Sequence, residues 1–395
     1  MKSWFSFLIL CTIILCLLNP LFAQSPVPPG AKVEKIVSNC QFVEGPVWRK
    51  AGFLVFSDIP ANTIYKWTPE GGREVFLNPS GNSNGLAEDS QGRLIFAQHG
   101  KRQVARLESD GTETALATHY NGKRLNSPND LTIKSDGSIY FTDPPYGINS
   151  SQEELGFYGI YRLTPTGELI LLDKSLTRPN GIILSPDESR LYVNDSQAQK
   201  IHVWDVQPDF TITNKRLFAT MTGSGAADGM KIDSEGRLYS TGPAGVWIFN
   251  PDGTVVDRIQ VPETAANLNW GEDDRQTLFI TARTSVYRIR LNSKGYASVK
   301  TPSRPQQSLE FKLLKNYPNP FNAVTSISFT LAKARAVELI IYDALGQQVS
   351  TLVNEFLSAG LHHYHWPADN LASGNYYCHL KVGQQQQTMS MILVK

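Results

Sequence analysis

Six times along the middle of the chain an oxygen-bearing residue opens a short apolar run: Glu44-Gly45-Pro46, Asn84-Gly85-Leu86, Asn129-Asp130-Leu131, Asn180-Gly181-Ile182, Asp228-Gly229-Met230 and Asn267-Leu268-Asn269. A second apolar run follows each about ten residues later, starting near Phe53, Leu94, Ile139, Leu191, Leu238 and Leu278. A period of 40–50 residues built from short strands is the pattern of radially repeated sheets. Six copies predict an all-β, six-bladed β-propeller over residues 33–292. Equivalent positions in each copy then converge on one axis, so side chains far apart in sequence can share one polar site.

Within each copy the punctuation is regular. Ser90-Gln91-Gly92, Ser135-Asp136-Gly137 and Ser234-Glu235-Gly236 separate the first two strands, and Asp110-Gly111 separates the last two of the second copy. Asp-Gly between alternating runs is a hairpin signal. No helical periodicity of useful length interrupts residues 33–291. The third copy is the longest, with residues 144–157 inserted as a rim loop carrying Tyr146, which either lines the mouth of the site or packs the loop.

Residues 1–23 read as a signal peptide: Lys2, an apolar stretch from Phe5 to Leu18, a break at Asn19-Pro20 and a small residue at Ala23. An uncleaved anchor is disfavoured by that break and by the short run, since a spanning helix needs about 20 apolar residues. No later segment is suited to spanning a bilayer. Residues 24–32 read as a Pro-rich leader with nothing to pack, and 293–309 as a polar linker. Residues 310–395 again read as short strands, the size of a β-sandwich. Cys40 and Cys378, the two cysteines beyond the signal segment, are distant and read as small buried residues rather than a disulfide. With 37 basic and 36 acidic residues and no block of like charge, a nucleic-acid partner is not expected.

The six openings differ in chemistry. Glu44 and Asp228 carry charge, and the others offer amide oxygens. Carboxylates with amide oxygens suit a hard cation such as Ca²⁺ or Mg²⁺, whereas no Cys/His cluster suggests structural zinc. Asn84 and Asn267 fit backbone-bonding roles at strand starts slightly better than ligand roles. Glu has no special role in turns, which favours function for Glu44. For Asp228 the two roles are balanced. A cation here would polarise a carbonyl, and Asp228 or Asp130 could take a proton from the attacking water. Arg124 could steer a polyhydroxyl or anionic substrate or simply be a solvated Arg, and His99 could cap a strand end or contact substrate. Gly81-Asn82-Ser83-Asn84-Gly85 matches a serine-hydrolase elbow, but strands on both sides argue against Ser83 as nucleophile. His363 and His365 fall on one face of a strand with no third ligand in sight.

EGPVW (44–48), GNSNGL (81–86), KRLNSPNDL (123–131), SDGSIYFTDPPYG (135–147), RPNGI (178–182) and ADGMKID (227–233) together resemble the SMP-30/gluconolactonase family, bacterial gluconolactonases in particular. The resemblance implies a propeller holding one divalent cation, Ca²⁺ first with Mg²⁺, Mn²⁺ or Zn²⁺ as alternatives, and hydrolysis of a sugar lactone. It assigns Glu44, Asn180 and Asp228 as metal ligands, Asp228 also as general base, and Asn129 as a water or substrate contact beside the metal. His99 and Arg102 match the relatives, while Gln103 replaces an Arg common there. The competing expectation is a non-catalytic propeller that binds glycan or protein. NYPNPFN (316–322), IYDALGQQV (341–349), SAGLHHYHW (358–366) and SGNYYCHL (373–380) resemble a type A sorting domain of the type IX secretion system. That implies export across the outer membrane to the cell surface or medium, with the secretion machinery as partner; the protein itself is expected to be a monomer. A carbohydrate-binding sandwich is the alternative for this segment.

Overall fold

The computed structural model of the chain describes residues 25–296, 311–314, 316–383 and 385–395. The expected signal peptide, Cys11, Cys16 and most of the expected linker lie outside the described residues. The chain forms two compact units divided near residue 300.

The first unit holds six four-stranded antiparallel sheets. Their second strands are Phe53–Asp58, Leu94–Gln98, Ile139–Asp143, Arg190–Asp195, Leu238–Gly242 and Thr277–Ala282, within one residue of the six expected starts. The only helix among the described residues is a short 3-10 turn, Ser150–Gln152, capped by Asn149 and Gln152.

Each second strand alternates between two apolar layers, as period-two geometry requires. Leu94 and Phe96 pack towards Val47, Val55 and Ile64 of the first sheet, whereas Ile95 and Ala97 pack towards Ile139 and Phe141 of the third. The same division recurs at Tyr140, Tyr192, Tyr239 and Phe279, so every sheet is covered on both faces and six layers close into a ring. The ring needs no mismatched edge, because Glu34–Val37 pairs antiparallel with Ser285–Arg290 and completes the sixth sheet from the N-terminal side.

The leader is not idle. Val27 and Ala31 pack on the layer between the fifth and sixth sheets, and Asn292 N donates to Pro26 O at 2.9 Å. The apolar Val and Ala in an otherwise Pro-rich stretch find a groove there, contrary to the expectation that it packs nothing. The propeller also runs past 292: Ser293 is buried against Tyr239 at 2.8 Å, and Tyr296 N donates to Ile232 O at 3.1 Å.

The second unit is a sandwich of a three-stranded sheet (Phe311–Leu313, Val324–Leu331, Gly360–Pro367) and a four-stranded sheet (Gln348–Leu357, Arg335–Tyr342, Gly374–Val382, Gln385–Leu393). Ile327, Phe329, Leu339, Ile341, Trp366, Cys378 and Leu380 share its core. Cys378 fills that core as expected, while Cys40 is only half-buried and its sulfur accepts from Arg73 at 2.9 Å; both are free thiols. His363 and His365 are exposed. Among the described residues no helix is long and apolar enough to cross a membrane.

Candidate metal and substrate centre

The innermost strands are stitched at every junction of the ring. Ser57 Oγ donates to Asn84 O at 2.9 Å, Gly85 N to Asn129 O at 2.8 Å, Thr142 Oγ1 to Asn180 O at 2.7 Å, Asn194 Nδ2 to Asp228 O, Thr241 Oγ1 to Ala266 O at 2.8 Å and Asn269 Nδ2 to Pro46 O at 2.8 Å. All six acceptors belong to the sequence openings or their immediate neighbours, so the main chain of the hub is fixed before any ligand binds.

The glycine after the opening residue serves this close approach. A Cβ at Gly45 would collide with Asn84 O, one at Gly181 with Asp228 O, and one at Gly229 with the Asn267 side chain. Gly45 also has φ +50°. Four openings carry a break in strand register, between Glu44 and Val47, Ser83 and Leu86, Pro179 and Ile182, and Ala265 and Asn267. Such bulges re-aim a side chain. Asn129-Asp130 and Asp228 instead precede their strands Leu131–Ile133 and Met230–Ile232, which lets both members of the Asn129-Asp130 pair be buried.

The carboxylates come together. Burial, followed by the charge of Asp130, pushes Glu44 up to about 7. Asp228 is raised well above the ordinary range by burial, then by Glu44 and Asp130. Asp130 is raised by burial, with Lys231 opposing. Lys231 opposes the shift of Glu44 as well. Asn180 lies within hydrogen-bonding reach of Asp228, and Asn267 within reach of Glu44 and Asp130. Each carboxylate also takes what the main chain offers: Glu44 Oε2 accepts from Gly45 N at 3.0 Å and Asp130 Oδ1 from Leu131 N at 2.9 Å.

Several buried oxygens have no partner at all: Asn84 Oδ1, Asp130 Oδ2 and Asn180 Oδ1. Orphaned acceptors beside mutually repelling carboxylates are the complement of a hard cation. Among the described residues no three Asp, Glu, His or Cys side chains form a cage by themselves. A cation held here would need amide oxygens such as that of Asn180 to complete its set.

The other expected site residues divide. His99 is buried beside Asn84, its Nε2 3.1 Å from Asn84 Nδ2, and burial lowers it to about 4, so it is neutral. Asn129 is buried, its main chain bonded to Gly85 and Thr142. Arg124 turns elsewhere: its guanidinium donates to Lys101 O at 2.7 Å and its N–H to Glu154. Arg102 donates to Leu125 O and Asn126 O, and Gln103 to Gln98 and Glu113, which are scaffold roles. Ser83 starts the strand Ser83–Glu88 and pairs with Ser57 Oγ at 2.9 Å, not with His99, so no nucleophile elbow exists.

Two features escaped the sequence reading. Lys231 brings positive charge near Glu44 and Asp130; its distance of three residues from Asp228 was the available signal. Asp58, Asp143 and Asp195, which end the second strands of sheets one, three and four, each accept two main-chain N–H groups just before an opening. The recurring Ser-Asp, Thr-Asp and Asn-Asp at those strand ends carried that signal.

The SMP-30/gluconolactonase/LRE-like profile matches residues 42–284, more than half of the chain. The chain belongs to that family. The secretion-system C-terminal sorting-domain profile matches residues 315–395. A gluconolactonase of Zymomonas mobilis is 38% identical over 293 residues, covering 67% of this chain and 82% of that protein. A gluconolactonase of Xanthomonas campestris, known in structure, is 36% identical with a TM-score of 0.62, covering 66% of this chain and 90% of its own. A putative gluconolactonase structure is 31% identical with a TM-score of 0.65, covering 69% and 96%. Membership of the SMP-30/gluconolactonase/LRE-like family thus rests on the propeller, and the sorting-domain match on the sandwich.

Proposed function

We propose that the protein is an exported, divalent-cation-dependent lactonase that opens a sugar-type lactone to its hydroxy acid. The observation that carries this reading is the convergence of Glu44, Asp130 and Asp228 with the orphaned oxygen of Asn180 at the hub of a gluconolactonase-family propeller.

Glu44, Asn180 and Asp228 would hold the cation, with Ca²⁺ best suited to an all-oxygen set of this size. When bound, the cation supplies Lewis acidity to the lactone carbonyl and offsets the repulsion among the carboxylates. Glu44 and Asp130 are almost fully buried, whereas Asp228 is the least buried residue of the three, which favours it as the carboxylate that water reaches. Asp228 therefore takes the proton of the attacking water as its oxygen adds to the carbonyl carbon. The carbonyl-to-ring-oxygen bond breaks, and the ring oxygen leaves as a hydroxyl after taking up a proton. Asn129 and neutral His99 line the same region and contact water or substrate. The sorting-domain family points to type IX export to the surface or medium, with the secretion machinery as partner.

Asp228→Asn, assayed on a lactone panel with Ca²⁺, Mg²⁺, Mn²⁺ and Zn²⁺ in turn, tests the reading. Turnover by the wild type and its loss in a folded variant support it. A folded, cation-binding wild type that turns over no lactone contradicts it and leaves a binding propeller.

A further inference from the structure

Tyr146 is the large side chain at this site that burial does not explain. It is 40% exposed, whereas its neighbours Asn180 and Ser196 are almost fully buried. Its phenol stands beside Ser196 and Asn180, close enough to feel the charge of Asp228. The Arg178 guanidinium lies over its ring, 5.5 Å from the centroid.

The loop that carries it is held at both ends. Asn126 Nδ2 donates to Asp143 O at 3.1 Å just before the insertion and to Phe157 O at 2.9 Å at its last residue. Gly147 N donates to Ser127 Oγ at 2.8 Å, and a Cβ at Gly147 would lie 2.5 Å from His99 Cβ. A side chain placed this firmly, yet left open at the mouth of the site, has the geometry of a ligand contact. One ring face and a hydroxyl that can both donate and accept suit a polyhydroxylated ring.

We propose that Tyr146 is a specificity-determining residue whose hydroxyl hydrogen-bonds the hydroxylated part of the bound lactone. The assignment rests on the lactonase reading above and names what that site selects. A lactone without hydroxyls gains nothing from the contact, whereas a site built to bond a hydroxyl discriminates against substrates that lack it.

Tyr146→Phe removes the hydroxyl and keeps the ring. Steady-state kinetics on glucono-1,5-lactone and on δ-valerolactone, with calorimetric titration of gluconate and of Ca²⁺, separate the outcomes. The expected result is a fall in kcat/KM of about 5–10-fold on the hydroxylated lactone, mainly through KM, the size of one neutral hydrogen bond. Gluconate affinity falls in parallel, and δ-valerolactone turnover and Ca²⁺ affinity hold. Equal losses on both lactones, or a loss of Ca²⁺ affinity, overturn the proposal in favour of a structural role. No change in either kinetics or gluconate affinity overturns it outright. If the wild type turns over neither lactone but its gluconate affinity still depends on Tyr146, the lactonase reading fails while the contact stands. If gluconate does not bind either, both fail.

Discussion

Asn84 Nδ2 donates to His99 Nε2 at 3.1 Å, and both side chains are buried. An amide nitrogen can only donate, so Nε2 accepts and the imidazole proton sits on Nδ1. The bond turns Asn84 Oδ1 away from His99, which is why that oxygen is left without a partner.

Acid should expose this arrangement. Burial lowers His99 to about 4 from 6.5. The folded state then binds fewer protons than the unfolded chain between those values, so stability is full above 6.5 and falls as pH drops towards 4. The loss amounts to about 2–3 kcal/mol by pH ~4.5. In His99→Gln, which cannot titrate, this component should vanish. Urea unfolding at neutral pH and at pH ~4.5 checks it, and an equal acid sensitivity in the two proteins counts against it.

The carboxylates have the opposite sign. Glu44 is raised from 4.5 to about 7. Its contribution to stability is present below the lower value and lost as pH rises through the upper one. A cation offsets that repulsion, so stabilisation by Ca²⁺ should be larger at pH ~8 than at pH ~5. Calorimetric melting with Ca²⁺ or with chelator measures the difference.

Asp228→Asn removes one of three mutually repelling carboxylates. Chelated, the variant should melt no lower than the wild type, while kcat falls about 10²–10⁴-fold, the usual contribution of a general base. A variant that unfolds would assign Asp228 to the scaffold.

Much of this architecture was legible because strand alternation and Asp-Gly turns are local signals. The second-strand starts lie within one residue of those expected. The hub was less legible. Asn-Gly and Asp-Gly read locally as turns, yet Gly181 and Gly229 are small because a neighbouring strand passes against them. Glu34–Val37 pairs with a strand some 250 residues away, which no local pattern reveals. Arg124 looked available in sequence, but its partners Lys101 and Glu154 come from other elements. Asn267, read as a strand-start residue, does bond Leu268 N at 2.8 Å, and its side chain also reaches Glu44 and Asp130.

The rim loop depends on Asn126. Asn126→Ala deletes the two bonds that fix the loop ends. It should lower stability by about 1–3 kcal/mol, because Asp143 O and Phe157 O lose their donor. Proteolysis should then cut first within residues 144–157. Cleavage elsewhere would argue that the loop is held by other contacts.

Export has its own test. Removing residues 311–395 should leave the propeller folded and retain it in the periplasm. Undiminished release to the medium would contradict a sorting role for the sandwich.

The most direct test of the central claim is glucono-1,5-lactone hydrolysis by chelated protein, before and after Ca²⁺ is restored, in the wild type and in Glu44→Gln. Activity that disappears with chelation, returns with Ca²⁺ in the wild type and needs far more Ca²⁺ in the variant is the predicted result. Turnover indifferent to chelation, or equal Ca²⁺ requirements in the two proteins, would contradict it.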